Sequence, residues 1–248
     1  MPQDLHAHRI ELVDTLSGAF LSEAARADPA GAIGWERWPT VGDLLRHVGE
    51  VYAWVTEVLT SGEKVELEHG SAASDGDAVT EFADRRTALL AALRELDPDR
   101  PCWTLDRDEP RTGFWARRMV FETLRHLADL RDAGRRAWEA PTELAPEDWA
   151  DGIDEFLEVF LARARKRLDV LPGVVALEAT DGRWRWTIDA GWDVAHGGDR
   201  ADATVAATAA DLALLLWERA DPFDEPERFH REGDDAVLNA LVAAPIHV

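Results

Sequence analysis

The sequence has little of several features that mark particular classes of protein. It contains a single cysteine, Cys102, so it can form no internal disulfide, which is typical of proteins in a reducing compartment. No apolar run approaches the ~20 residues needed to cross a bilayer. The first residues, MPQDLHAHRIELV, lack the basic start and apolar stretch of a signal peptide. We therefore expect a cytoplasmic protein that does not bind a membrane.

Positive charge is also scarce. The chain has 27 Lys and Arg residues against 49 Asp and Glu residues, which gives a net charge of -22. A chain this acidic is repelled at long range by nucleic acids and by anionic membranes, so we expect small-molecule partners and no nucleic acid. The 248 residues, 46% of them hydrophobic, are enough for two domains with separate cores.

The first part of the chain has the apolar spacing of amphipathic helices. Thr40 is a predicted N-cap, with Asp43 in the capping-box position. Four amphipathic helices favour a bundle. A fifth helix, over residues 147–168, fits either as the last bundle helix or as a bridge to the next domain. The first four are predicted over residues 5–25, from 40 through at least 55, 77–96 and 112–138.

After Pro172 the apolar period changes from that of helices to that of strands. Trp184, Trp186 and Ile188 alternate with polar residues after the Asp181-Gly182 turn, which predicts a β-hairpin. We therefore predict two domains, a helical bundle over residues 1–168 and a small α+β domain over 169–248. The remaining predicted elements of the second domain are strands at 192–195 and 203–207 and helices at 209–219 and 234–243.

Three residues on two of the predicted helices are candidates for a metal site. Glu122 and His126 lie four residues apart, so they share one helix face and can reach a single ion. His47, on the second helix, is the candidate third ligand. Two imidazoles and one carboxylate leave coordination positions open, as in catalytic metal sites. These ligands suit zinc, nickel, copper or iron, and zinc is the default expectation.

A plain structural interpretation of the same residues stays open. Glu and His four residues apart often arise by chance as ordinary contacts on a helix. Phe121, Leu124 and Leu127 flank the pair, so the two groups are expected near a core, where ionisable groups need partners. A buried His and Glu that satisfy each other without a metal would produce the same pattern.

Four segments of the chain resemble the mycothiol-dependent maleylpyruvate isomerase family of actinobacteria. The resemblance covers most of the chain. Its N-terminal half is similar to the DinB-type metal-binding four-helix bundle, and its C-terminal part to a small sterol-carrier-like α+β domain. The segments that carry it are WPTVGDLLRHVGEVYAW, EPRTGFWARRMVFETLRHLAD, ADGIDEFLEVFLARARKR and TAADLALLLWERADPFD.

The resemblance implies a site and a chemistry. The family's metal triad falls on His47, Glu122 and His126, and a catalytic arginine of its C-terminal domain is assigned to Arg219. Phe121 stands where the family often has a histidine, and Leu127 where it commonly has an arginine, so the substrate is less defined than the ligands. The implied cofactors are a divalent metal, zinc by default, and the thiol mycothiol. Bound as a thiolate, the thiol would attack a small electrophile in an isomerase or S-transferase reaction.

The sequence also leaves two other functions open. The first is a non-enzymatic protein that binds an apolar ligand, since eleven tryptophans are available to line a cavity. The second is a zinc-dependent hydrolase of thiol conjugates, which the same triad would serve. An anionic substrate would need an arginine, for which the candidates are Arg117, Arg118, Arg125 and Arg219. The chain is expected to be a monomer or a homodimer.

Overall fold

The computed structural model describes residues 3–35, 37–67, 77–133 and 144–246. Contacts between residues divide the chain into two units, 1–139 and 140–248. The first is helical and the second is an α+β unit with one main sheet, which confirms the predicted fold class. In the described ranges, no helix is long and apolar enough to cross a membrane.

The first unit contains the four predicted helices. Helix α1 packs against α3 and α4, and α2 packs against the same two helices. A two-stranded hairpin, which the sequence did not predict, joins α1 to α2 and contacts both α2 and α4. The elements are α1 (Gln3–Ala24), β1 (Ala32–Trp35), β2 (Trp38–Thr40), α2 (Val41–Ser61), α3 (Ala78–Glu95) and α4 (Gly113–Ala133). The predicted extension of α4 to residue 138 lies outside the described residues.

The start of α2 is set by the predicted cap. The Thr40 hydroxyl accepts a hydrogen bond from the Asp43 backbone N–H at 3.2 Å and donates to the Asp43 carboxylate at 2.6 Å. The cap satisfies one backbone donor of the first turn and thereby fixes where the helix begins. At the other end, Gly62 takes the left-handed conformation with φ 78° and closes the helix. His47 is consequently held in the second turn of α2, on its buried side.

The second unit begins with a long helical segment. Helix α5 (Pro146–Glu155) continues into a π-helical stretch, Phe156–Leu161. It ends in the α-helical residues Ala162–Ala164 and a 3₁₀ turn, Arg165–Arg167. The remaining elements are β3 (Val175–Ala179), β4 (Arg185–Ile188), β5 (Val194–His196), β6 (Ala203–Ala207), α6 (Ala209–Leu216), β7 (His230–Gly233) and α7 (Asp235–Val242).

The main sheet has the strand order β5-β4-β3-β6-β7. Strands β3 and β4 form the predicted hairpin, with Leu177 opposite Trp186, and both residues are fully buried. Strand β6 runs parallel to β3, and all other pairs are antiparallel. Helices α6 and α7 both pack on β3 and β6. Strand β7, of sequence HREG, was not predicted because it is polar and mostly exposed, as an edge strand can be.

The division by contacts differs from the predicted boundary after residue 168. Helix α5 packs against α6, an element of the α+β unit. Its apolar face therefore contributes to the core of that unit, and the division falls ahead of the helix. Local periodicity predicted that the helix exists but left open which core it joins.

Candidate metal centre

Helices α2 and α4 bring the three predicted ligands together. One ligand atom from each of His47, Glu122 and His126 lies within 4.8 Å of the others. The Glu122 Oε1 atom is 3.2 Å from the His126 Nε2 atom and 3.6 Å from the His47 Nε2 atom. All three residues are buried, and their exposed fractions are 8%, 4% and 0% in chain order. The spacing of Glu122 and His126 thus produces the shared face that the sequence predicts.

The two carboxylate oxygens of Glu122 face different groups. Oε1 faces the two imidazoles, whereas Oε2 accepts hydrogen bonds from Arg118 and, at 3.4 Å, from Arg125. Burial by itself would raise the pKa of Glu122, but the Arg125 and Arg118 guanidiniums hold it well below its usual range. Glu122 is therefore a charged carboxylate, with one oxygen engaged by arginines and the other directed at the histidines.

His126 is bound on both sides of its ring. Its Nδ1 atom lies 2.9 Å from the Asp129 Oδ2 atom, and its Nε2 atom lies 3.3 Å from the Arg125 Nη2 atom. The side chains of His126 and Asp129 are both 0% exposed. The two residues lie three apart on α4, where side chains share a helix face.

His47 packs against the indole of Trp38, which follows the turn of the β1–β2 hairpin. The two ring centroids are 4.2 Å apart, and the Trp38 ring also meets His126 edge-on at 4.9 Å. Burial lowers the pKa of His47 to about 4. At neutral pH His47 is consequently an uncharged imidazole, which is the form that binds a metal ion.

The donor set fits a divalent transition metal. Two imidazole nitrogens and one ionised carboxylate oxygen converge in a buried place, and all three are ligands that zinc, iron or nickel accept. Three protein ligands leave at least one position of a tetrahedral ion for a further ligand. The arrangement can therefore hold an ion that also takes a small molecule.

The structure places the predicted arginines in different surroundings. Arg118 and Arg125 are buried and bonded to Glu122. Arg117 is buried on the same helix. Arg219 is half-buried in the α+β unit, just after α6, and its Nη1 atom donates to the Trp217 carbonyl at 2.5 Å. The catalytic role of Arg219 stays a prediction.

The positions that depart from the family pattern are core positions in this chain. Phe121 and Leu127 are 2% and 0% exposed. Cys102 is also buried, and burial raises the pKa of its thiol, which opposes a role as a thiolate nucleophile. Its sulfur lies 3.5 Å from the Val58 carbonyl. This environment is that of a packing residue.

Sequence reasoning missed two residues at the site, Trp38 and Asp129. Asp129 carried a usable signal, since it lies one turn after His126 on the same helix. Trp38 carried none, because it lies in a segment rich in Pro and Gly whose path depends on tertiary packing.

Two family models match the chain. One, described as the mycothiol maleylpyruvate isomerase N-terminal domain, matches residues 11–131. The other, described as the MDMPI C-terminal domain, matches residues 147–240. The first contains all three candidate ligands, and the second contains Arg219. A comparison with curated proteins gave no match.

Solved structures that match the chain include two of a mycothiol-dependent maleylpyruvate isomerase. A mycothiol-dependent maleylpyruvate isomerase is 15% identical, with a TM-score of 0.56 and 92% of each chain covered. A histidine-to-alanine mutant of such an isomerase is 14% identical, with a TM-score of 0.62 and the same coverage. The sterol carrier protein domain 2 of Helicoverpa armigera is 13% identical, with a TM-score of 0.32, covering 36% of this chain and 82% of that one. At these identities, the similarity to the two isomerase structures shows a shared fold.

Proposed function

Because the chain belongs to the mycothiol maleylpyruvate isomerase family, we propose that it is a metal-dependent isomerase that uses a mycothiol-type thiol. Its substrate would be a small electrophile with an activated double bond. The observation that supports the metal requirement most directly is the convergence of His47, Glu122 and His126 within the matched N-terminal domain. Ionisable groups are costly to bury, so their convergence favours a function over a purely structural role.

Each protein group has a defined task in this proposal. His47, Glu122 and His126 would hold the metal, with zinc as the expected ion. A bound divalent metal would stabilise the thiol as its thiolate and so supply a strong nucleophile near neutral pH. Arg118 and Arg125 hold the Glu122 Oε2 atom, which leaves Oε1 directed at the two imidazoles. Trp38 packs against the His47 ring and meets His126 edge-on, and would restrict the access of water to both imidazoles.

The proposed reaction returns the thiol unchanged. A thiolate held at the site would supply reversible nucleophilic addition to the activated double bond, whose electron pair would be taken up by the conjugated carbonyl group, and this chemistry can change the geometry of the double bond without consuming thiol. Arg219 is the proposed partner for negative charge on the substrate. An S-transferase would instead retain the new carbon–sulfur bond and consume one thiol per product. The expectations of a cytoplasmic location and of a monomer or homodimer remain predictions.

Metal analysis of the purified protein tests the metal site. We expect close to one zinc ion per wild-type chain after growth in zinc, and a strong loss in a His47→Ala, His126→Ala double variant. His196→Ala, which removes an exposed histidine of the sheet, is the matched control and should retain the metal. Equal metal content in the wild type and the double variant would contradict the proposal.

A second assay separates the possible reactions. Zinc-loaded protein is given mycothiol and maleylpyruvate, and both the cis-trans conversion and the free thiol are followed. Conversion with constant free thiol is the expected result. Loss of thiol in step with product would indicate S-transfer. In a parallel assay, hydrolysis of an amide-linked thiol conjugate without consumption of free thiol would indicate the hydrolase.

A further inference from the structure

The buried carboxylate of Asp129 is placed to control one of the metal ligands. Asp129 and His126 lie on the same regular helix, and the Nδ1 and Oδ2 atoms are 2.9 Å apart. Neither side chain has any exposed surface. Solvent therefore cannot replace this contact, and the helix backbone fixes the positions from which both side chains start.

The contact determines which nitrogen of His126 carries the proton. The Arg125 Nη2 atom lies 3.3 Å from Nε2, and a guanidinium can only donate a hydrogen bond, so Nε2 is the accepting nitrogen and Nδ1 carries the proton that faces Asp129. In the neutral ring the lone pair is then on Nε2. Nε2 is the nitrogen that faces the Glu122 Oε1 atom, at 3.2 Å. The ring is thus both turned and protonated so that its free electron pair is directed at the other two ligands.

We propose that Asp129 is a positioning residue that acts through His126, selecting the tautomer and ring orientation in which Nε2 binds the metal. This inference rests on the proposed function, since it requires a metal at the triad. A carboxylate behind a metal-bound imidazole also increases the basicity of the ligand nitrogen. His47 is oriented differently, by packing against the Trp38 ring.

Metal affinity of matched variants tests the proposal. Asp129→Asn removes the charge with little change of shape, and Asp132→Asn makes the same change at an exposed position of α4. Zinc affinity is measured at neutral pH by competition with a chromophoric chelator. We expect Asp129→Asn to bind zinc about 10- to 100-fold more weakly than the wild type, and Asp132→Asn to bind as the wild type does. The visible spectrum of the cobalt-loaded Asp129→Asn variant should also shift, because the ligand field changes.

A folded Asp129→Asn variant with wild-type zinc affinity and an unchanged cobalt spectrum would overturn this inference and leave the proposed function standing. A wild-type protein that binds neither zinc nor cobalt would overturn both. Circular dichroism of the metal-free variants establishes that they are folded.

The wild-type protein offers a test that needs no folded variant at position 129. In zinc-loaded protein labelled with ¹⁵N-histidine, long-range proton–nitrogen correlation spectra report the tautomer of each ring. We expect the proton of His126 on Nδ1, with its signal assigned by its absence in His126→Gln. A proton on Nε2 would overturn the proposal.

Discussion

The two units differ in what they bury. In the described part of the helical unit, helix α4 by itself contributes six buried ionisable residues, namely Arg117, Arg118, Glu122, Arg125, His126 and Asp129. In the described part of the α+β unit, the buried polar or charged residues are Glu155 and Thr187. The main sheet is instead lined by apolar residues such as Leu177, Ile188 and Val205, each 0% exposed.

The difference indicates where the chain gives up stability for function. Burying an ion pair costs more in desolvation than it returns unless its geometry is good, and apolar residues of similar volume often stabilise as well or better. The residues that the main sheet buries are mostly apolar. Helix α4 differs, because Arg118 and Arg125 bind Glu122 and Asp129 contacts His126, two of the three candidate ligands. We interpret this helix as the part of the chain whose composition is set by the site.

The largest effect is expected from breaking the buried charge cluster. Glu122→Ala removes the carboxylate that Arg118 and Arg125 bind, and leaves both guanidiniums buried without it. We expect the free energy of unfolding of the metal-free protein to fall by about 3–5 kcal/mol. Urea unfolding followed by circular dichroism measures the change. A loss below about 1 kcal/mol would contradict the view that this cluster is coupled to the stability of the helical unit.

A smaller effect is expected from pH, with a defined sign. Burial lowers the pKa of His47 to about 4, below the ordinary value of 6.5. The unfolded chain therefore binds the proton more readily between these values, and stability falls as the pH is lowered from 6.5 towards 4. At about pH 4, the free energy of unfolding of the metal-free protein should be lower by on the order of 3 kcal/mol.

Urea unfolding over this pH range measures the His47 effect. A His47→Gln variant serves as the comparison, because glutamine does not titrate and its stability should depend less on pH. If the free energy of unfolding depends on pH equally in the wild type and the variant, this would argue against a neutral, buried His47.

The smallest effect is expected from a surface ion pair of the sheet. Glu178 and Arg185 pair across β3 and β4, with 49% and 24% of their side chains exposed. Exposed pairs contribute little because water screens them, so Glu178→Ala should cost about 0–1 kcal/mol. The same unfolding measurement applies. A cost as large as that of Glu122→Ala would remove the contrast between the two units.

The helices of the bundle were predictable because their signals are local. The apolar period and the Thr40 cap each involve residues within a few turns of one another, and the structure confirms both. Strand β7 and the β1–β2 hairpin were missed because neither carries an apolar period. Their pairing with neighbouring elements depends on packing that residues within the segment do not encode.

The site was predictable in part for the same reason. Glu122 and His126 share a helix face by spacing alone, so the sequence determined that they would lie together. The tertiary structure decided three further features of the site. It brings the pair together with His47, it packs the Trp38 ring against His47, and it directs one Glu122 oxygen at arginines and the other at imidazoles. The apolar residues of an amphipathic helix recur every three or four positions, so a short stretch of sequence is enough to predict the helix. The approach of α2 to α4 instead depends on how whole apolar faces pack, which no short stretch of either helix specifies.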